Sequence, residues 1–238
     1  MNLNRKVCCW LGFLFITSTI SFYFCEKTHQ AMSQVLMAIF TGSFVSIIIS
    51  IINYWHEKEK FFNNLFHHSV FIYSYLENIK QLLLNSNEIS NFKYISRNLI
   101  NYSKLLESSI HSINFRDYSP FNKSSKEFDT IQLVEGLCTI FNQYIILPIH
   151  KIEALEFSLK ELKNVPENEI KDLQQQIAEI ISNLHTSTEL LQAEYSKNIQ
   201  YLYRTTDKWE VLTKNIKEFT SNHIKEHIRI QNSINRPK

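Results

Sequence analysis

The chain has 238 residues and a formal net charge of +2 at pH 7. This length fits one or two domains, and the charge is too small to indicate a nucleic-acid partner. The chain contains only 3 glycines and 4 prolines, the residues on which tight β-turns depend. The composition therefore disfavours a fold built on hairpins, and we predict an all-α protein.

Two uncharged apolar runs, residues 7–25 and 31–55, lie within the first sixty residues. A bilayer core of about 30 Å is crossed by roughly 20 helical residues, so both runs are long enough to cross a membrane. We predict transmembrane helices at about 7–25 and 32–55, forming a hairpin domain over residues 1–60.

The charges around the hairpin predict its orientation. Arg5 and Lys6 flank it on one side and Lys58 and Lys60 on the other, whereas the short loop 26–30 has no net charge. By the positive-inside rule, both termini are predicted to be cytoplasmic. A secretory signal is the alternative for the first run, but no Ala-x-Ala-like cleavage site follows it.

Two sets of side chains predict how these helices make contacts. Aromatic residues at the ends of the runs are typical of membrane-interface anchors: Trp10, Tyr54 and Trp55. Small residues recur every four positions in the second run, which places them on one helix face: Ala38, Gly42, Ser46 and Ser50. In lipid, such a face indicates close helix packing. The partner is either the first helix of the same chain or a second copy, which would make a homo-oligomer.

Residues 61–238 are predicted to form an elongated cytoplasmic helical bundle. Apolar residues keep helical spacing from the second membrane helix to about Leu84 and again from Phe92 to Ile113. The polar segment Asn114–Lys126 is expected to be a surface loop or regulatory segment.

Three further helices are predicted in the remainder of the chain. The first covers about Glu127 to Leu162, with a kink near Leu147 because Pro148 interrupts its hydrogen bonding. The second contains Ile170 and Leu202 and is preceded by Asn164 and Pro166, which fit cap and first-turn positions. The last begins near Asp207, which with Glu210 resembles a capping box. The neighbouring aromatic residues are interpreted as core residues, with base stacking as the alternative: Tyr195, Tyr201, Tyr203 and Trp209.

Motifs for catalysis or metal binding are scarce. The sequence has no P-loop, G-x-G-x-x-G, G-x-S-x-G or C-x-x-C pattern. The string His223-Ile224-Lys225-Glu226-His227 matches the H-x-x-E-H of inverted zinc peptidases, but no Asp or Glu follows it to complete a site. We therefore predict no catalytic, cofactor-binding or metal-binding residues, no small-molecule substrate and no enzymatic activity.

The four cysteines do not have the spacing of a disulfide framework or a zinc site: Cys8, Cys9, Cys25 and Cys138. Cys8 and Cys9 are interpreted as small apolar residues of a membrane segment. Acylation of this pair is the alternative, in a cell that palmitoylates.

Two hypotheses fit this pattern. In the first, the chain is a membrane-perturbing effector, or toxin, whose hairpins oligomerise when the cytoplasmic bundle is released or triggered. In the second, it is a membrane-tethered helical scaffold or signalling adaptor without pore activity. An enzyme would rest on the H-x-x-E-H string alone.

The predicted chain has two N-terminal membrane helices, at about 7–25 and 32–55, followed by a helical part without catalytic motifs. This plan resembles the two-transmembrane effectors of bacterial anti-phage systems. The plan and length are particularly similar to the membrane effector of Ec48-type retrons. The resemblance covers the whole chain as architecture and rests on no short motif. The resemblance implies a partner reverse transcriptase with its RNA–DNA hybrid. It also implies that the effector is restrained until phage interference and then damages the inner membrane, which causes abortive infection.

Overall fold

The computed structural model describes residues 2–25, 30–85, 92–118, 126–161, 167–204 and 206–234. Every regular element in these ranges is helical, and no strand occurs within them, so the all-α prediction is confirmed for this part of the chain. The α-helices are α1 (Asn2–Cys25), α2 (Gln30–Leu84), α3 (Phe92–His111), α4 (Lys126–Phe141), α5 (Leu147–Glu161), α6 (Glu167–Leu202) and α7 (Thr206–Ile234).

The chain divides into two compact units. The first consists of Met1–Asn63 and Asp117–Lys123, and the second of Asn64–Arg116 and Ser124–Lys238. Helix α2 contributes its N-terminal part to the first unit and its C-terminal part to the second. It is unbroken over its 55 residues and ends at Leu84, where the loss of apolar spacing predicts its end.

The second unit has a continuous apolar core. Helices α4 and α6 pack against each other, and α5 packs against α3 and α6. The buried side chains of α2 recur at helical spacing and are completely inaccessible at Leu65, Ile72, Leu76, Ile79 and Leu82. Those of α3 show the same pattern at Ile95, Leu99 and Leu106. Burial of one face of each helix is what an amphipathic sequence predicts.

The predicted helix from Glu127 to Leu162 is interrupted by a change of hydrogen bonding. A π-helix over Asn142–Ile146 joins α4 to α5, and the Leu147 amide donates to the Asn142 carbonyl. Pro148 has no amide hydrogen, and its ring would clash with the carbonyl four residues earlier in an α-helix. The wider π turn lies just before the proline. The sequence therefore predicted where the helix is interrupted, but not that the interruption is a π-helix.

The helix boundaries near the C-terminus differ slightly from those predicted. Helix α7 begins at Thr206, so Asp207 lies in its first turn and not at the N-cap. Its charge still interacts favourably with the helix dipole there. The Glu210 carboxylate accepts a hydrogen bond from Gln200 Nε2 of α6 at 3.0 Å.

Three predicted features fall partly or wholly outside the described residues. The proposed caps Asn164 and Pro166 and the external loop at residues 26–29 lie there. Of the polar segment Asn114–Lys126, residues 119–125 also lie there, and Phe115–Tyr118 forms a short 3-10 helix.

We expect replacement of Phe141 by Ala to lower the free energy of unfolding by about 3–5 kcal/mol, the usual cost of removing a fully buried phenyl ring. Phe141 is completely buried, and its ring lies edge-on to Tyr195 at 5.5 Å. Phe157 in α5 is 63% exposed, so Phe157→Ala should change stability by less than about 0.5 kcal/mol. Denaturant unfolding of the purified protein in detergent micelles measures both. Equal losses would contradict this description of the core.

Candidate functional site

The two N-terminal helices contact each other through aromatic rings. The Phe15 ring of α1 stacks on Phe40 of α2 with centroids 4.6 Å apart and lies 6.0 Å from the Phe44 ring. Ser18 and Ser43 are the buried polar side chains among the described residues of this unit. The α1–α2 contact therefore uses the side of α2 that carries Phe40 and Phe44.

The hydroxyl groups in these helices are compatible with an apolar environment. Thr17 Oγ1 donates to the Phe13 carbonyl at 3.0 Å, Thr19 Oγ1 to the Phe15 carbonyl at 2.7 Å, and Thr41 Oγ1 to the Met37 carbonyl at 2.8 Å. Each hydroxyl thus satisfies its donor within its own helix. This removes most of the cost of placing a hydroxyl in lipid.

The first two residues of the predicted small-residue face, Ala38 and Gly42, lie on the other side of α2, whereas Ser50 follows the buried Ser43 by seven residues and so lies on nearly the same side as Ser43. Gly42 is two residues from both Phe40 and Phe44, and two residues correspond to about 200° of rotation around an α-helix. Gly42 and Ala38 are exposed, Ser46 and Ser50 are half-buried, and a Cβ atom added to Gly42 would meet nothing within 4 Å. Helix α1 therefore leaves the centre of this face uncovered within one chain.

The first unit exposes apolar side chains along both helices. In α1 they include Phe13, Ile16 and Ile20, and in α2 they include Val35, Ile39, Val45, Ile48, Ile49, Ile51 and Ile52. A soluble monomer rarely exposes a contiguous apolar patch of more than a few hundred Å². Exposed apolar surface of this kind is typical of contact with a membrane or a partner.

The predicted membrane-interface anchors lie near the start of the first apolar run, at Trp10, and at the end of the second, at Tyr54 and Trp55. Trp10 is 68% exposed and Trp55 61% exposed, whereas Tyr54 is half-buried. The Tyr54 and Trp55 rings form an edge-on pair at 6.0 Å. Lys58 Nζ lies 5.8 Å from the Trp55 ring centroid. Together these residues form an aromatic and cationic group directly after the apolar run, as is typical of membrane-interface sequences.

Within the described residues, two helical segments are long and apolar enough to cross a membrane. The most apolar 18-residue stretch of Gln34–Leu84 has a mean hydropathy of 2.5 and is 6% buried, and that of Lys126–Leu159 has a mean hydropathy of 1.2 and is 44% buried. The second segment supplies core residues to the bundle, including Phe141 and Ile149, so its hydropathy has a packing explanation. Cys9–Tyr23 is a shorter apolar helix.

The second unit contains a buried carboxylate that the sequence analysis missed. Glu77 of α2 is 2% exposed and accepts hydrogen bonds from Gln192 Nε2 of α6 at 2.5 Å and from Gln81 Nε2 at 2.9 Å. Hydrogen bonds to charged groups contribute about 1.5–3 kcal/mol each. The signal in the sequence was an acid within the apolar helical pattern, one residue after Leu76 and four after Tyr73.

Tyr195 and Trp209, which were interpreted as core residues, are buried, at 0% and 2% exposure. The Trp209 ring lies edge-on to Tyr73 at 5.8 Å and parallel to Tyr203 at 6.2 Å. Burial raises the pKa of the Tyr195 phenol well above its usual value, and burial raises the pKa of the Cys138 thiol to about 12. Both groups therefore stay neutral at physiological pH. Tyr201, by contrast, is 51% exposed.

The H-x-x-E-H residues lie on α7. The His223 and His227 rings contact each other edge-on at 4.5 Å, and Phe219 and Tyr94 stack against them at 5.8 and 6.3 Å. The Glu226 carboxylate lies 3.9 Å from an Arg229 guanidinium nitrogen. No group of three or more His, Cys, Asp or Glu side chains suited to holding a metal ion occurs in the described ranges.

Two open grooves lie on the second unit. One, of about 660 Å³, is lined mainly by the π-helix region and α6, including Tyr144, Leu147 and Leu184. The other, of about 720 Å³, lies near the α6–α7 junction and includes Tyr201 and Arg204. Both volumes fall in the range of small-ligand sites.

Comparison of the chain with models of protein families, with curated proteins and with solved structures finds no match.

Replacing Phe15 by Ala should weaken the α1–α2 contact by roughly 1 kcal/mol, because an aromatic pair contributes about 0.5–1.5 kcal/mol beyond its area. Phe13→Ala is the matched control, since that ring is 59% exposed. The measurement is the SDS concentration at which labels attached at Ile16 and Ile52, in a cysteine-free background, separate in mixed micelles. A larger shift for Phe13→Ala than for Phe15→Ala would show that the helices pack through another face.

Proposed function

We propose that this protein is a membrane effector of a bacterial anti-phage defence system. Helix α1 and the N-terminal part of α2 form a transmembrane hairpin in the inner membrane, with both termini in the cytoplasm. Residues 61–238 form an elongated cytoplasmic helical bundle that keeps the hairpin inactive. Release of the bundle lets the hairpins perturb the membrane, which causes abortive infection without catalysis, a cofactor or a small-molecule substrate.

The observation that carries this proposal is the exposed, uncharged apolar surface of α1 and α2. Transfer of this surface from water to lipid is favourable by about 25 cal/mol for each Å². The helical backbone satisfies its own hydrogen bonds, as a membrane segment must. The bonded hydroxyl groups of Thr17, Thr19 and Thr41 remove the main polar cost of insertion.

Self-association is the proposed route from insertion to membrane damage. The small-residue face at Ala38 and Gly42 points away from the α1 contact and is uncovered in one chain. Close approach of helix backbones at small residues is a common basis of packing in lipid. We therefore propose that the small-residue face packs between chains in a homo-oligomer at Ala38 and Gly42, whereas Ser46 and Ser50 are half-buried within one chain.

The proposed partner is a retron reverse transcriptase with its RNA–DNA hybrid. Its support is the resemblance in architecture: two membrane helices followed by a helical part without catalytic motifs. In this proposal the partner restrains the cytoplasmic bundle until phage infection disturbs it.

A membrane-tethered scaffold or signalling adaptor is the second candidate. It is favoured by the groove at Tyr144 and Leu147, where Leu147 is 62% exposed and Tyr144 is 48% exposed. An adaptor would use such a surface to bind a cytoplasmic protein and would leave the membrane intact.

Induction of the chain without its proposed partner should depolarise bacterial cells and admit propidium, and Gly42→Leu should reduce both effects by roughly tenfold or more. The added side chain separates helix backbones that pack through the small-residue face, while its apolar character preserves insertion. Thr41→Leu is the matched control, because position 41 is about 100° away around the helix. Carbonate extraction checks that all variants remain in the membrane.

A sealed membrane at full expression of the inserted wild-type chain would exclude the effector function and favour the scaffold. Equal toxicity of the wild type and Gly42→Leu would exclude the small-residue face as the assembly surface. Purified protein added to phosphatidylethanolamine–phosphatidylglycerol vesicles gives an independent readout, because dye release there needs no other cellular component.

A further inference from the structure

The outer side of α4, the π-helix and α5 carries a row of exposed apolar side chains in the second unit. Four of them are between 38% and 62% exposed: Leu133, Ile140, Tyr144 and Leu147. Gly136 lies among them and is also exposed, and a Cβ atom added there would meet nothing within 4 Å. Residues 136–149 contain no charged side chain. This row is therefore an uncharged apolar surface in the middle of a helical segment.

The row belongs to a longer outer stripe whose spacing is the same in both directions from its centre. The stripe runs from Asp129 to Ile140 in steps of four, three and four residues, and from Ile140 to Lys151 in the same steps. Its members are Asp129, Leu133, Gly136, Ile140, Tyr144, Leu147 and Lys151. Steps of three and four residues keep side chains on one face of a helix. The buried side chains of the same segment keep such steps across the π turn, so the outer face continues across it as well.

Residues at equal distances from Ile140 have complementary properties. Leu133 and Leu147 each lie seven residues from this centre, and both are exposed and apolar. Gly136 and Tyr144 each lie four residues from it, so the smallest residue of the outer stripe is matched with the largest. A large side chain opposite a small one lets two helix surfaces interdigitate. The outer stripe is thus complementary to a second copy of itself that runs in the opposite direction.

The two ends of the outer stripe carry opposite charges. Asp129 and Lys151 each lie eleven residues from Ile140, both are exposed, and neither forms an ion pair within the described ranges. In an antiparallel pair of stripes, each Asp129 lies opposite a Lys151. In a parallel pair, each residue lies opposite its own copy, so like charges repel at both ends. An exposed ion pair adds little stability, but this repulsion makes charge select the antiparallel arrangement.

We propose that the outer stripe is a homodimer interface, in which two copies of the chain pack antiparallel around a two-fold axis at Ile140. In such an isologous interface, residue i contacts residue j and j contacts i. Leu133 of one copy therefore meets Leu147 of the second copy, Gly136 receives its Tyr144, and Ile140 meets itself. Residues 129–151 rise about 33 Å along a helix, so the contact extends over six turns.

An open groove beside the outer stripe accommodates part of the second copy. Leu147 and Lys151 line this groove of about 660 Å³ together with Ile180 and Leu184 of α6. Because Leu133 of the second copy lies opposite Leu147, its side chain enters the groove. Removal of these apolar side chains from water provides the driving force for the contact.

A second copy fits the outer stripe better than a lipid surface or a different protein does. Anionic lipid headgroups would repel the Asp129 carboxylate, and a different protein would require no symmetry in the stripe. A two-fold axis requires both the symmetric spacing and the opposite charges at the ends. The inference concerns the second unit alone and does not depend on the proposed function, because cross-linking is measured whether or not cell membranes depolarise.

Disulfide cross-linking of the full chain tests the interface, with the four native cysteines replaced by Ala and an oxidant added to expressing bacteria. Ile140→Cys should form a cross-linked dimer, because each copy meets its own counterpart at the axis. Glu135→Cys is the matched control: the position is exposed, but its two copies lie about 15 Å apart along an antiparallel pair. It should give at least tenfold less dimer. A well-expressed Ile140→Cys chain that stays monomeric would overturn the proposal and leave the surface to a different protein.

Two chains with different tags test the direction of packing. Leu133→Cys in one chain should cross-link to Leu147→Cys in the other. Leu133→Cys should not cross-link to its own copy, because the two sulfur atoms lie about 21 Å apart along an antiparallel pair. A strong cross-link between two copies of Leu133→Cys would show a parallel pair and overturn the proposed interface.

A charge exchange tests the ends of the interface without changing its apolar part. Asp129→Lys or Lys151→Asp alone should lower the yield of the Ile140→Cys dimer roughly fivefold, because like charges then face each other at both ends. The double variant should restore the yield. Both side chains are exposed, so no variant should move the melting temperature by more than a few degrees. Single variants with an unchanged yield, or a double variant that is not restored, would refute the antiparallel contact of Asp129 with Lys151.

Discussion

One unbroken helix, α2, must fit two different environments, and the rest of the structure depends on this constraint. Helix α2 is uncharged and largely exposed over its N-terminal part, and its C-terminal part, from Leu65 to Leu83, forms a buried core face. The backbone is α-helical through both parts, without a break between them. The change lies in the side chains alone, at the charged stretch that begins with His56 and Glu57.

The polar groups inside the second unit give its packing a defined register. An apolar core of Ile and Leu tolerates more than one alignment of two helices, because similar side chains recur at each turn. The Glu77–Gln192 hydrogen bond discriminates among these alignments, since a buried carboxylate without a donor is costly. Buried polar contacts often specify one arrangement more than they add stability.

Helix positions followed well from the sequence, and contacts between helices did not. Periodic apolar residues predicted the end of α2 at Leu84 and the extent of α3, because a 3.6-residue period depends only on local geometry. Which face of α2 meets α1 was left open, because the Phe15–Phe40 stack depends on the relative rotation of two helices, which no local pattern encodes. Glu77 was missed for a related reason: an acid on an apolar face is recognisable as buried only when its donor, 115 residues away, is known.

The π-helix at Asn142–Ile146 affects how this chain should be aligned with relatives. A π turn accommodates one residue more than an α turn, so α4 and α5 behave as two helices separated by a one-residue insertion. The buried stripe continues across the π turn at steps of three and four residues, through Val134, Cys138, Phe141, Ile145 and Ile149. In a relative that lacks one residue here, the later residues of the helix would be rotated by about 100° around its axis, unless Pro148 were also lost. A single-residue gap at this position, paired with the absence of the proline, is thus the evolutionary signature that this joint predicts.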